Sequence, residues 1–146
     1  MKKVFFSCSI AGGRDHAHIY EDIVSYIKEA GMHVLSEIFA DKSLTVEDGT
    51  KHKLGKKLSD EEIRKWDLDW LNEADAVVAE VTQPSLGVGY EIAMAEMLKK
   101  PVLALFYKDS GRRLSPMIAG NPHVIVFEYS DAKETESAIV NFIKNL

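Results

Sequence analysis

The amino-acid sequence predicts an α/β fold built on a parallel sheet with helices on both faces. Three observations lead there. Five short apolar segments of strand length recur along the 146 residues, segments of helical period separate them, and glycine or proline stands at several of the junctions. Strands that alternate with helices imply crossover connections, and crossovers cover a sheet on both sides. The order expected is 2-1-3-4-5, doubly wound and flavodoxin-like, within one domain spanning 1–146.

Each element has its own signal. Val4-Phe5-Phe6 reads as the first strand, followed by a loop from Ser7 to Arg14. A helix from about Asp15 to Ala30 sets Ile19, Ile23, Ile27 and Ala30 on one face, and Gly31 ends it. The second strand covers about His33 to Glu37. Ser59-Asp60-Glu61-Glu62 is a capping box, after which Ile63, Trp66, Trp70, Leu71 and Ala74 recur at helical spacing. Ala76 to Val81 is the third strand. The helix from Gly89 to Leu98 is apolar nearly all round, which predicts burial. Lys99 and Lys100 suit its C-terminal dipole, and Pro101 stops it. Val102 to Tyr107 and Val124 to Tyr129 complete the sheet, and a last helix begins near Asp131.

Residues 41–58 break the alternation. They are polar, contain Gly49 and Gly55, and carry Lys51, His52, Lys53, Lys56 and Lys57. A mobile lid and a solvated insertion are level readings of such a segment.

Bulk properties exclude several classes. A net charge of −5 argues against a non-specific nucleic-acid binder. The longest apolar runs are about six residues, too short to span a membrane. Lys2 and Lys3 lead into a strand pattern rather than the core of a signal peptide. The single cysteine, Cys8, cannot form an intrachain disulfide, which fits a reducing, cytoplasmic compartment. Cys8 itself reads as a small buried residue at a strand end. His16, His18, His33, His52 and His123 show no metal-ligand spacing, so no metal is expected; no cofactor is expected either.

In the expected topology the loops Ser7 to Arg14 and Thr82 to Gly89 both open onto the crevice where strand order reverses. The first loop offers the Ser9 hydroxyl, the flexible backbone of Gly12 and Gly13, and the charged fork of Arg14. It is neither a Walker A loop nor a complete dinucleotide fingerprint, so a simple flexible turn competes with it. The second loop runs through Pro84, Ser85, Gly87 and Gly89 to Glu91, read as a carboxylate at a helix N-terminus where the dipole keeps it ionised. A well-capped helix after an ordinary loop is the plain alternative. Asp67 falls inside the apolar stripe of Ile63, Trp66, Trp70 and Ala74, where a carboxyl is disfavoured unless paired. Desolvation there would raise its pKa and suit it to donate a proton, and a structural tie between loop and helix competes. An anionic Glu91 beside a protonated Asp67 is the division of roles in retaining glycosidases. Trp66 and Trp70 read as core, with one ring edge available to a base.

These residues also carry a resemblance. Ser9-Ile10 with Gly12-Gly13-Arg14, Asp67-Leu68 with Trp70-Leu71, the stretch from Val78 to Glu91, and Ser110-Gly111-Arg112 with Leu114-Ser115 and Met117 closely resemble the 2′-deoxynucleoside 5′-phosphate N-hydrolases of the nucleoside 2-deoxyribosyltransferase superfamily. The resemblance implies that Glu91 attacks C1′ of the sugar, that Asp67 assists departure of the base, and that water releases the sugar phosphate. It implies that Ser9, Ile10, Gly12, Gly13, Arg14, Ser85 and Gly87 hold the nucleotide, chiefly its phosphate, and that Ile23 lies near the base. Ser115 and Met117 would reach into a neighbouring subunit's site, which implies a homodimer with shared active sites. Related transferases carry an amide side chain where Ser115 stands, so a small hydroxyl there favours the phosphate-binding hydrolases. Phe5 stands where the deoxynucleotide hydrolases have a tyrosine that touches the catalytic carboxylate, and branches with phenylalanine accept ribonucleotides. Ile38 stands where similar sequences have a histidine near the base. The alternatives are base exchange between nucleosides, a ribonucleotide N-glycosidase, and a non-catalytic nucleotide-binding module on the same fold.

Overall fold

The computed structural model describes residues 1–10, 12–42 and 58–146. Five strands, β1 (Lys3–Ser7), β2 (His33–Val34), β3 (Ala76–Glu80), β4 (Val102–Tyr107) and β5 (Val124–Tyr129), pair in parallel in the order β2-β1-β3-β4-β5. The observed topology is the expected one. Helices α1 (Ala17–Glu29), α2 (Asp60–Glu73), α3 (Leu86–Met97), α4 (Pro116–Ala119) and α5 (Glu134–Lys144), with 3-10 turns at Glu37–Ala40 and Lys108–Ser110, make up the other regular elements among the described residues. α1 packs with α5 on one face of the sheet, and α2 and α3 flank a common cavity on the other.

β1 and β3 are buried along almost their whole length, which is why they read as near-continuous apolar runs. Side chains of β1 alternate between the two faces. Phe6 meets α1, edge-on to Tyr20 with ring centroids 6.1 Å apart. Phe5 and Ser7 therefore face the side of α2 and α3. No helix among the described residues is long and apolar enough to cross a membrane.

Several boundaries differ from the sequence reading, each for a local reason. β2 stops at Val34 instead of reaching Glu37. The hydroxyl of Ser36 accepts from the Phe6 amide at 2.9 Å and donates to the Phe6 carbonyl at 2.8 Å, so a buried side chain replaces strand pairing. The chain then enters a 3-10 turn over Glu37–Ala40. α5 begins at Glu134, because Asp131 accepts from the Lys133 amide at 2.9 Å and holds a turn before the helix. α2 has the expected capping box at Ser59 and Glu62.

α3 carries the largest corrections. It starts at Leu86, where Ser85 caps it by accepting the Val88 amide at 3.3 Å. Glu91 is thus the sixth residue of the helix, beyond the first turn in which the dipole acts. Burial is also only one-sided. Val88, Ile92 and Ala95 meet the sheet, whereas Leu86, Tyr90 and Met97 are 97%, 51% and 79% exposed. Of the segment 41–58 that the sequence sets apart, residues 43–57 lie outside the described residues.

Candidate active site

The carboxyl ends of β1 and β3 lie side by side, and the loops that leave them touch. A Cβ on Gly12 would stand 2.4 Å from the Pro84 carbonyl oxygen, so the approach requires glycine. Gly13 has φ +131°, and Gln83 Nε2 donates to the Gly12 carbonyl at 2.8 Å. Arg112 joins from beyond β4, donating to Gln83 Oε1 at 3.3 Å and lying 3.4 Å from Asp15 Oδ2. Sequence reasoning passed over Gln83 and gave Arg112 no role. Their signal was a polar side chain on each of two loops that the topology brings together.

A cradle of donors follows from the helix start. The amides of Leu86 and Gly87 precede the first intrahelical bond of α3, Gly89 to Ser85, and have no acceptor within the helix. The Ser9 hydroxyl is fully buried and has no hydrogen-bond partner. Ile10 is half-buried against the core. Arg14 turns its charged fork toward the main chain. It donates to the carbonyls of Ser9, Phe39 and Asp41 at 3.1, 2.9 and 2.8 Å, and its guanidinium lies 5.2 Å from the Tyr20 ring centroid. It braces the loop against the 3-10 turn. Ile23 is fully buried in α1 as part of the core.

The two candidate carboxyls face one cavity of about 450 Å³ between α2 and α3, lined by Asp67, Leu68, Gly87, Tyr90 and Glu91 among others. Burial pushes Asp67 up to about 7, and its Oδ1 has no partner. Burial also pushes Glu91 up to about 8. A hydrogen bond donated by Ser7 Oγ to Glu91 Oε2 opposes that rise, and the charge of Asp67 adds to it. Both carboxyls are thus pushed toward neutrality, Glu91 further than Asp67, while the Ser7 hydrogen bond favours the anion on Glu91; a site holding one proton offers an acid and an anion together. Trp66 and Trp70 are half-buried, with ring centroids 5.7 Å apart. Trp70 packs against the core, edge-on to Phe39, and together with Trp66 and Ile38 lines a smaller pocket beside Asp67.

A second cavity of about 700 Å³ lies on the other side of the first turn of α3. Gly12, Ser85, Ser115 and Met117 line it, and Leu86 borders both cavities. Ser115 caps α4 by accepting the Met117 amide at 3.3 Å, and Met117 is 80% exposed. Within one chain, Ser115 and Glu91 thus face different cavities.

Other titratable groups stand apart. Glu80 is buried on the α1 face, where it accepts from the Thr82 amide at 3.2 Å and the Tyr129 hydroxyl at 3.3 Å, and burial pushes it up to about 7. The Cys8 thiol donates to the Phe39 carbonyl at 3.3 Å, and burial raises its pKa, which disfavours the thiolate. Among the described residues, no group of three or more His, Cys, Asp or Glu could hold a metal ion.

The raised carboxyls have a consequence for stability. Glu91, Asp67 and Glu80 hold protons more tightly folded than unfolded, so their favourable contribution is complete below the unfolded values of 3.8 to 4.5. It is lost as pH rises toward about 7 and 8. The melting temperature is therefore expected to fall between about pH 5 and pH 8, and Glu91→Gln to flatten that fall. A Glu91→Gln curve parallel to the wild-type curve would mean that Glu91 is ionised throughout that range.

Comparison with known proteins gives the site a context. Residues 4–138 match the family model described as nucleoside 2-deoxyribosyltransferase. The 5-hydroxymethyl-dUMP N-hydrolase of Rattus norvegicus is 46% identical over 135 residues, covering 91% of this chain and 78% of that protein. The protein of the same name in Tetraodon nigroviridis is 43% identical over 145 residues, covering 98% of each. Among solved structures, a CMP N-glycosidase of Clostridium botulinum superposes with a TM-score of 0.64 at 21% identity, over 97% of this chain and 99% of that one. At that identity the likeness is one of fold.

Proposed function

The chain belongs to the nucleoside 2-deoxyribosyltransferase family, and from that premise we propose that it is an N-glycosidase of nucleoside 5′-monophosphates. It cleaves the bond between base and sugar, releasing free base and the (deoxy)ribose 5-phosphate. The observation that carries this reading is the pair Glu91 and Asp67 facing one cavity beside the donor-rich start of α3. Relatives named as hydrolases of a deoxynucleotide support the substrate class.

The chemistry follows from the roles of the two carboxyls. A carboxylate oxygen of Glu91 bonds to C1′ as the C1′–N bond breaks, and the electron pair leaves with the base. Asp67 gives its proton to the departing base. Water then adds to C1′ and returns a proton to Asp67, while Glu91 leaves as a carboxylate. The phosphate sits at the amides of Leu86 and Gly87 with Ser9, Gly12, Gly13 and Ser85 around it. The orphaned Ser9 hydroxyl supports that placement, since a buried donor without a partner is costly unless a ligand completes it. The single buried thiol suits the reducing environment of the cytoplasm.

The active unit is a homodimer with shared sites. Leu86, Tyr90, Ala93 and Met97 form an apolar stripe along α3 that the chain leaves exposed, with Met117 of α4 also exposed nearby. A second copy covers it and carries Ser115 and Met117 toward the partner's substrate. Mixing Glu91→Ala with Ser115→Ala is then expected to restore activity, because one site of each mixed dimer carries both defects and the other none. About a quarter of all sites should be intact at equal amounts. No recovery after demonstrated subunit exchange would place Ser115 in its own chain's chemistry or in none.

Phe5 favours a second reading of the sugar. Its ring is fully buried on the face of β1 that meets Glu91 and brings no hydroxyl, leaving a 2′-hydroxyl unopposed. A panel of matched ribo and deoxy monophosphates, assayed for free base and sugar phosphate, tests both readings. Phe5→Tyr is expected to shift the kcat/KM ratio toward the deoxy substrate. Wild-type protein that already rejects ribonucleotides would remove this role for Phe5. Formation of a new nucleoside on adding a second free base would instead indicate transfer.

A further inference from the structure

We propose that Ser7 is a positioning residue for this reaction: its hydroxyl holds one oxygen of the Glu91 carboxylate and leaves the other to attack the sugar. The inference rests on the reading of Glu91 as the nucleophile. Ser7 ends β1, is fully buried, and donates from Oγ to Glu91 Oε2.

The need for such a donor comes from where Glu91 stands. As the sixth residue of α3 it lies beyond the unpaired amides of the first turn, so the helix dipole does little for it. Burial and the nearby Asp67 both disfavour its anion. Neighbouring residues of the chain do not help. Phe5, two residues earlier on the same face, has only a ring, and Cys8 turns its thiol to the Phe39 carbonyl. The Ser7 hydroxyl is the group that lowers the proton affinity of Glu91. A bond to a carboxylate is also stronger than one to an ester. The same donor therefore favours departure of Glu91 from C1′ in the second step, when the ester becomes a carboxylate again.

The test compares pH profiles of kcat and kcat/KM for wild type and Ser7→Ala with a nucleoside monophosphate substrate. Loss of a hydrogen bond to a charged group is expected to lower kcat about 10-fold to 100-fold. The limb on which Glu91 ionises should move to higher pH, so that activity partly recovers there, with KM changed less than about threefold. A profile of unchanged shape and height, or a defect confined to KM, would overturn the proposal. Should Ser7→Ala fail to fold, Ser7→Cys keeps the volume and supplies a weaker donor, and the same displacement is expected in smaller measure. Adding Ser7→Ala to Glu91→Gln separates the two ideas. No further loss in that background supports action through Glu91, whereas an equal loss in both backgrounds overturns it. Full activity of Glu91→Gln alone would reject the nucleophile itself, whatever Ser7 does.

Discussion

Glu91→Gln is expected to bind nucleoside monophosphates and release almost no base, with turnover lower by at least about 10³-fold. An amide has no anionic oxygen to form the bond to C1′, so the loss falls on the chemical step. The substitution is nearly isosteric, and the side chain lies in a cavity rather than in the packed core. It also removes a carboxyl that burial makes costly to ionise, so the fold should hold at least as well. Calorimetric titration with a monophosphate should return an affinity within a few-fold of wild type beside the lost turnover. Normal turnover by the folded variant would remove Glu91 from the mechanism.

Asp67→Asn is expected to lower turnover about 10²-fold to 10⁴-fold with a natural base. The size of the loss should track the leaving group. A base that departs readily without a proton needs little from Asp67, so the defect should shrink along a series of increasingly acidic leaving groups. An equal loss across the series would make Asp67 a positioning group instead. Kinetics of base release across such a series provide the check. The apolar surround of Ile38, Trp66 and Trp70 favours the protonated form, because it raises the cost of the charged one.

Which parts of this site were legible in sequence follows a physical pattern. Sheet order came from alternation and the two crevice loops from topology, because both depend on local period and connection rules. The sequence pattern places the start of α3 too late because Gly87 and Gly89 look like loop residues. Inside a helix each costs roughly 1 kcal/mol against alanine. Among the described residues, a Cβ at either position would meet nothing closer than 3.9 Å, so their packing does not demand glycine there. The exposed face of α3 was read as buried because an apolar pattern does not say what covers it. Arg14 was legible as a cation, but its acceptors are main-chain carbonyls of a distant turn. Ser7 stayed hidden because its importance depends on Glu91 being past the first turn, which only the helix start reveals.

The most direct test of the account is to catch the sugar on the protein. A nucleoside monophosphate carrying fluorine at the 2′ position slows both steps by destabilising the oxocarbenium-like transition state. Paired with a good leaving group, it should let the glycosyl-enzyme accumulate. Rapid acid quench, digestion and mass spectrometry should then find one sugar phosphate added to the peptide that contains Glu91, appearing with the first equivalent of free base and disappearing as sugar phosphate is released. Release of a full equivalent of base with that peptide unmodified, or with the addition on another residue, would contradict a covalent intermediate on Glu91.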